Sequence, residues 1–184
     1  MNGIISIVLV VVCFNLVSTQ KISFGQCQNV QVQQDFRADR FTGLWYEIEK
    51  YTVPFEIGLK CVTANYTQES DHLKVVNAGI FKWINMRTSL EAQLNTPNSQ
   101  EPAKMQLTAS FLPGIFAPFW VLDTNYDEYS VIYSCVDVIV AKAEYLWILS
   151  RNPTLDKSTK NGIYARLEEK GLDTTPFNPT EQDC

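Results

Sequence analysis

From residue 43 to residue 150 the chain divides into short apolar or alternating runs separated by turn signals, and this pattern constrains the fold more than any other feature. The runs fall at roughly 43–52, 61–68, 72–81, 86–95, 103–111, 117–124, 129–136 and 143–150, each of strand length. Sequential antiparallel strands with short connections form a meander, and eight of them can close into a barrel holding one small ligand. After Pro153 the period changes. Leu155, Thr159, Ile163 and Leu167 recur every four positions, Asp156 precedes them as an N-cap, and Gly171 can end the helix. The predicted fold class is therefore all-β: an eight-stranded antiparallel up-and-down barrel with one C-terminal α-helix packed outside. Residues 21–40 lack a periodic apolar pattern and read as an arm, with a short helical turn at 35–40.

Residues 1–20 carry no charged side chain, and Ile4 to Val12 form an apolar core too short to span a membrane comfortably. This reads as a secretory signal peptide over 1–19, cleaved near Ser18 or Thr19, ahead of a single domain over 20–184. The expected location is extracellular. The net charge of −5 argues against nucleic acid as a partner, because phosphates reward basic surfaces. Four cysteines, Cys27, Cys61, Cys135 and Cys184, remain after Cys13 is removed with the signal. In a secreted chain they read as two disulfides, with three connectivities open. No Cys-x-x-Cys or neighbouring histidine supports a metal site.

Up-and-down alternation gathers the loops into two sets. At one end, 53–59, 81–85 and 111–119 are rich in apolar and aromatic residues, among them Phe55, Phe81, Trp83, Phe111, Phe116 and Phe119. At the other end, 69–72, 95–102 and 125–128 are polar. Apolar loops clustered at one end suggest a greasy mouth for a lipid-like ligand.

Asn65-Tyr66-Thr67 is a glycosylation sequon, so Asn65 should face outward and Tyr66 inward. On the last strand Tyr145, Trp147 and Leu149 share a face. An interior lined with Tyr66, Tyr145 and Trp147 suits a flat or chain-like apolar molecule. On the first strand, strict alternation places Trp45 with Glu47 and Glu49. Either a bulge intervenes or acidic groups point inward.

Gly43 and Trp45 open the first strand, Arg151 leaves the last, and Thr124-Asn125-Tyr126 lies between. Trp45 and Arg151 can stack to plug one end of a barrel, a cation–π contact worth about 0.5–2 kcal/mol. Together these three features resemble the lipocalin family. Asp35-Phe36, the segment 43–50, Cys61 to Thr67, Glu101 to Lys104, Ala117 to Trp120, Val131 to Cys135 and Trp147 to Pro153 are similar to its apolipoprotein D branch. The resemblance implies disulfides joining Cys27 to Cys135 and Cys61 to Cys184. It implies extracellular carriage of a fatty acid, retinoid or sterol-like lipid, with Tyr66, Asn77 and Trp147 at pocket positions. Phe81 and Gly79 stand where this branch has charged pocket residues. Related arthropod lipocalins hold biliverdin or carotenoid, so a pigment is the alternative cargo. Asn125 replaces the family's usual aspartate, which should loosen its turn. Leu112 replaces a methionine, so thioether chemistry at that loop does not transfer.

Two other classes compete. An enzyme with a thiolate inside the barrel would need an unpaired cysteine, and pairing all four leaves none. His72 sits in a polar turn without a nucleophile beside it, so no catalytic residue is assigned. An interaction module would use the apolar mouth to dock on a membrane or lipoprotein.

Overall fold

The computed structural model describes residues 21–110 and 114–184. The expected signal segment 1–19, with Cys13, and the loop residues Phe111 and Leu112 lie outside the described residues. Ten strands form one sheet: β1 (Lys21–Phe24), β2 (Gly43–Lys50), β3 (Leu59–Gln68), β4 (Leu73–Phe81), β5 (Met86–Asn95), β6 (Lys104–Ala109), β7 (Phe116–Thr124), β8 (Tyr129–Val138), β9 (Ala141–Ser150) and β10 (Asn178–Pro179). From β2 to β9 each strand pairs antiparallel with the next, and β9 pairs back onto β2 to close the barrel. These eight strands match the alternating runs to within a few residues.

The two remaining strands cover edges that the closure leaves open. β2 follows β3 only from Gly43 to Tyr46, and beyond that β10 pairs with Glu49 and Lys50. β1 pairs with Ala141–Glu144 of β9, past the stretch where β9 meets β2. Unpaired strand edges are liabilities, and short covering strands remove them. β10 runs on into the C-terminal tail, where the Cys61 amide donates to the Glu181 carbonyl at 2.8 Å. Gln182 then donates to the carbonyls of both Glu47 and Val62. The tail thus fills the gap between β2 and β3.

The undecided orientation on the first strand resolves as both alternatives at once, a bulge and an inward-pointing Glu47. Glu47 opposes Leu149 while Glu49 opposes Ile148, so Ile48 is the extra residue. Facing pairs share a face, so Glu47 and Lys50 point inward with Leu149 and Trp147. Glu49 points out beneath the helix.

Two helices complete the fold: α1 (Ala38–Phe41) and α2 (Lys157–Glu169). The first lies later than the expected turn at 35–40, because Asp35 adopts a left-handed φ of 51° and helix cannot pass through it. In the second, the Asp156 side chain caps the Ser158 amide at 2.8 Å. Its buried Ile163 and Leu167 pack on the barrel's outer wall. Lys160 and the Tyr164 hydroxyl both reach Glu49, and Arg166 pairs with Asp123 at 2.6 Å. The disulfides join Cys27 to Cys135 and Cys61 to Cys184, with Cα separations of 5.8 and 6.3 Å. The first fixes the N-terminal arm and the second the tail.

Arg151 organises the end opposite the apolar loops. Its guanidinium lies 3.7 Å from the ring centroid of the fully buried Trp45. It donates to the carbonyls of Tyr126, Leu44 and Arg40 at 2.9, 2.9 and 3.1 Å. Gly43 has φ +93°, and a Cβ there would stand 3.3 Å from Arg151 Nη1, so glycine serves both the turn and the approach. The Thr124 hydroxyl accepts from the Tyr126 amide, and Asn125 Oδ1 accepts from the Glu128 and Tyr129 amides. Contrary to the sequence expectation, the turn is closed, since an asparagine oxygen caps these amides as a carboxylate would. Arg151→Ala is expected to cost about 2–4 kcal/mol, from the lost cation–π contact and three carbonyls without their donor. Urea unfolding measures it, and Arg151→Lys should recover only part, lacking the planar fork.

Candidate functional site

A cavity of about 340 Å³ occupies the barrel above this closed end. An eight-stranded barrel is just wide enough for its own side chains to fill. This one is hollow because several inward positions at mid-height are small: Ala64, Ala92, Ala109 and Ala117 line the space. Larger residues set its limits. Tyr66 and Phe119 form the floor, their ring centroids 6.2 Å apart. Tyr66 rests on Phe41 at 4.8 Å, and Phe41 on Trp45 at 5.4 Å. Tyr145 and Trp147 stack side by side along β9 at 6.1 Å. Across the sheet they oppose Ser134 and Ile132, which also line the space.

Of the residues singled out in the sequence, Tyr66, Asn77, Phe119, Tyr145 and Trp147 stand on the cavity wall. Phe81 does not. It is the last residue of β4, opposite Leu59 and Met86 at the rim, above the lined volume. Phe111 falls outside the described residues. Asn65 is exposed on the outer face of β3, between inward-facing Ala64 and Tyr66. His72 sits in the β3–β4 turn, hydrogen-bonded to Asp71 at 2.8 Å and distant from the cavity lining.

The rim is apolar on all four sides. Phe55 is 68% exposed, Trp83 78% and Phe116 60%, in the three loops named from sequence. The fourth loop was missed: the two-residue turn between Val138 and Ala141 presents Ile139, 97% exposed, beside Val138 and Val140. Composition could have found it, since Val138 to Val140 is an apolar run across a strand end. Two rim loops also touch each other, for Trp83 covers Gly58 so closely that no side chain fits there. The Lys82 amide donates to the Gly58 carbonyl at 2.9 Å.

The polar part of the wall combines Glu47, one of the acidic groups whose inward orientation the sequence left open, with Glu56, which sequence reasoning missed. Glu47 faces inward on the same side of β2 as Trp45, just ahead of the bulge, and Pro54–Glu56 forms a single 3₁₀ turn that folds Glu56 back over the opening. Lys50 Nζ reaches a carboxylate oxygen of each at 2.6 Å, and the Thr180 hydroxyl donates to Glu47. Burial, then repulsion from Glu56, pushes the Glu47 carboxyl up to about 8, with Lys50 pulling the other way. No group of three or more His, Cys, Asp or Glu among the described residues could hold a metal.

The raised carboxyl has a consequence for stability. Below about pH 4.5 Glu47 is protonated folded and unfolded alike. Between about 4.5 and 8 only the folded state keeps the proton, so stability falls as pH rises through that window and is level above it. Glu47→Gln should remove this slope. Urea midpoints at pH 5 and pH 8 are expected to favour the variant increasingly at the higher pH, by on the order of a few kcal/mol. A gap independent of pH would show an ordinary carboxyl.

Comparison with known proteins agrees with this architecture. The Lipocalin-like domain family profile matches residues 36–182. Apolipoprotein D of Macaca fascicularis is 34% identical over 173 residues, covering 92% of this chain and 89% of that protein. Among solved structures, insecticyanin from the tobacco hornworm Manduca sexta superposes with a TM-score of 0.76 at 23% identity, covering 88% of this chain and 89% of the other. Lobster apocrustacyanin A1 gives 0.76 at 22% identity, with 89% and 92% covered. The matched span takes in the whole barrel, the helix and both ends that define the cavity, and the chain belongs to the lipocalin family.

Proposed function

We propose that this protein is a secreted, non-enzymatic carrier that binds one small hydrophobic molecule, a fatty acid, retinoid or sterol-like lipid, in the barrel cavity. The observation that carries this reading is the cavity of about 340 Å³, lined mostly by alanine, leucine and aromatic side chains beneath an apolar rim. That volume and lining are those of small-molecule sites. Secretion is supported by the charge-free apolar start of the chain and by two disulfides of a kind that persist in oxidising compartments. Similarity to apolipoprotein D supports lipid as the cargo. The resemblance to lipocalins noted from the sequence keeps biliverdin or a carotenoid as the alternative, and a visible absorption band in purified protein would favour it.

A second reading rests on the rim itself. Ile139 holds a left-handed φ of 54°, costly for a β-branched residue, at the tip of a hairpin where it is almost fully exposed. Exposed Phe55, Trp83 and Phe116 complete an apolar collar suited to the surface of a membrane or lipoprotein.

Each reading has its measurement. Added retinol should quench tryptophan emission, and less so in Trp147→Phe, because Trp147 is the tryptophan on the cavity wall. Undiminished quenching in the variant would remove the cavity as the site. Replacing Phe55, Trp83 and Phe116 with serine should abolish flotation with liposomes and leave retinol affinity intact if the collar docks on lipid surfaces. Loss of both would merge the two roles.

A further inference from the structure

The proposed carrier role says nothing of the polar end of the cargo, and the cavity wall is specific on that point. Glu47 and Glu56 both line the cavity, with Lys50 between them. Glu47 is 3% exposed, and the side chains of Lys50 and Glu56 are each 13% exposed. The contacts of this group use Oε1 of Glu47 and Oε2 of Glu56, which leaves one acceptor oxygen on each without a partner among the described residues. On the floor, the hydroxyl of the buried Tyr66 likewise has no hydrogen-bond partner among the described residues. Buried polar atoms are normally satisfied, and atoms left open on a cavity wall are places for a guest's polar atoms.

Charge decides which atoms those are. Among the described residues no lysine, arginine or histidine lines the cavity. Lys50 lies behind the two carboxyl groups and is already held by both. A carboxylate head would lose its water, meet two acidic side chains and find no free cation. A hydroxyl or amine would meet open acceptors and complete the hydrogen bonding of the wall.

We propose that the Glu47–Lys50–Glu56 group makes the cavity selective for lipids headed by a hydroxyl or an amine, and that it discriminates against the same chain ending in a carboxylate. This rests on the carrier reading and narrows it.

The test compares dodecanol, dodecylamine and dodecanoate at pH 9, where both carboxyl groups of the wall are ionised and the amine is still charged, each displacing retinol from the full-length mature protein and each titrated calorimetrically. The alcohol and the amine are expected to bind about tenfold more tightly than the carboxylate, or better. Glu56→Gln should release Lys50 from one partner and tighten dodecanoate by severalfold without strengthening dodecylamine. The comparison of the three heads on the unaltered protein stands even where that variant folds poorly. Equal affinity for all three, or tightest binding of dodecanoate, overturns the selectivity while leaving the cavity a lipid site. Binding of none of them, with no response to retinol, overturns the carrier reading as well.

Discussion

Closure of the barrel between β2 and β9 is the constraint on which the other features depend. To close, β2 must pair at both edges, and its register against β9 jumps at Ile48. That single extra residue reverses the alternation halfway along the strand. Glu47, ahead of the jump, lines the cavity; beyond it Lys50 turns to the inner side behind Glu47, and Glu49 faces outward. The outward carboxylate is nearly buried and receives Lys160 at 2.6 Å together with the Tyr164 hydroxyl, so the helix docks on the residue that the bulge displaced. A strand without the bulge would place Glu49 inside and leave the helix without its main polar anchor.

The two ends of the barrel solve opposite problems. At the closed end, backbone carbonyls of three separate segments converge on one guanidinium, whose flat face lies on the Trp45 ring. The aromatic stack from Phe36 through Phe41 to Tyr66 continues inward and becomes the cavity floor. At the mouth the hydrogen-bonding needs are met by strands and tail, and the side chains that remain are apolar and exposed. The tail participates in the wall, because Cys61 bends β3 away with φ 55° and its freed amide is taken by Glu181. The Cys61–Cys184 disulfide holds that strap in place.

Much of this was legible in the chain. Period-two alternation marks the eight barrel strands, because each has one face inside and one outside. The four-residue spacing of Leu155, Thr159, Ile163 and Leu167 marks the helix, and the sequon fixes the parity of β3 independently of hydrophobicity. The aromatic wall residues Tyr66, Tyr145 and Trp147 follow from that parity. Other parts were hidden for identifiable reasons. β1 and β10 have four and two residues, too few for any period to show. Glu56 sits in a loop that reads as apolar, and only its 3₁₀ turn directs the carboxylate back inside. Phe81 has the inward parity of its strand but lies too near the strand's end to reach the cavity.

The sequence by itself determined the eight barrel strands, the hollow interior and the contrast between an apolar and a polar end, because these depend on residue type and on spacing along a few neighbouring positions. The register, the bulge and the polar wall were decided by tertiary structure alone. Glu47 acquires its environment from Thr180, 133 residues away, and from a strand that must shift by one residue to close the ring. Contacts at such separations leave no periodic trace in the chain, since what fixes them is the geometry of closure rather than any local preference.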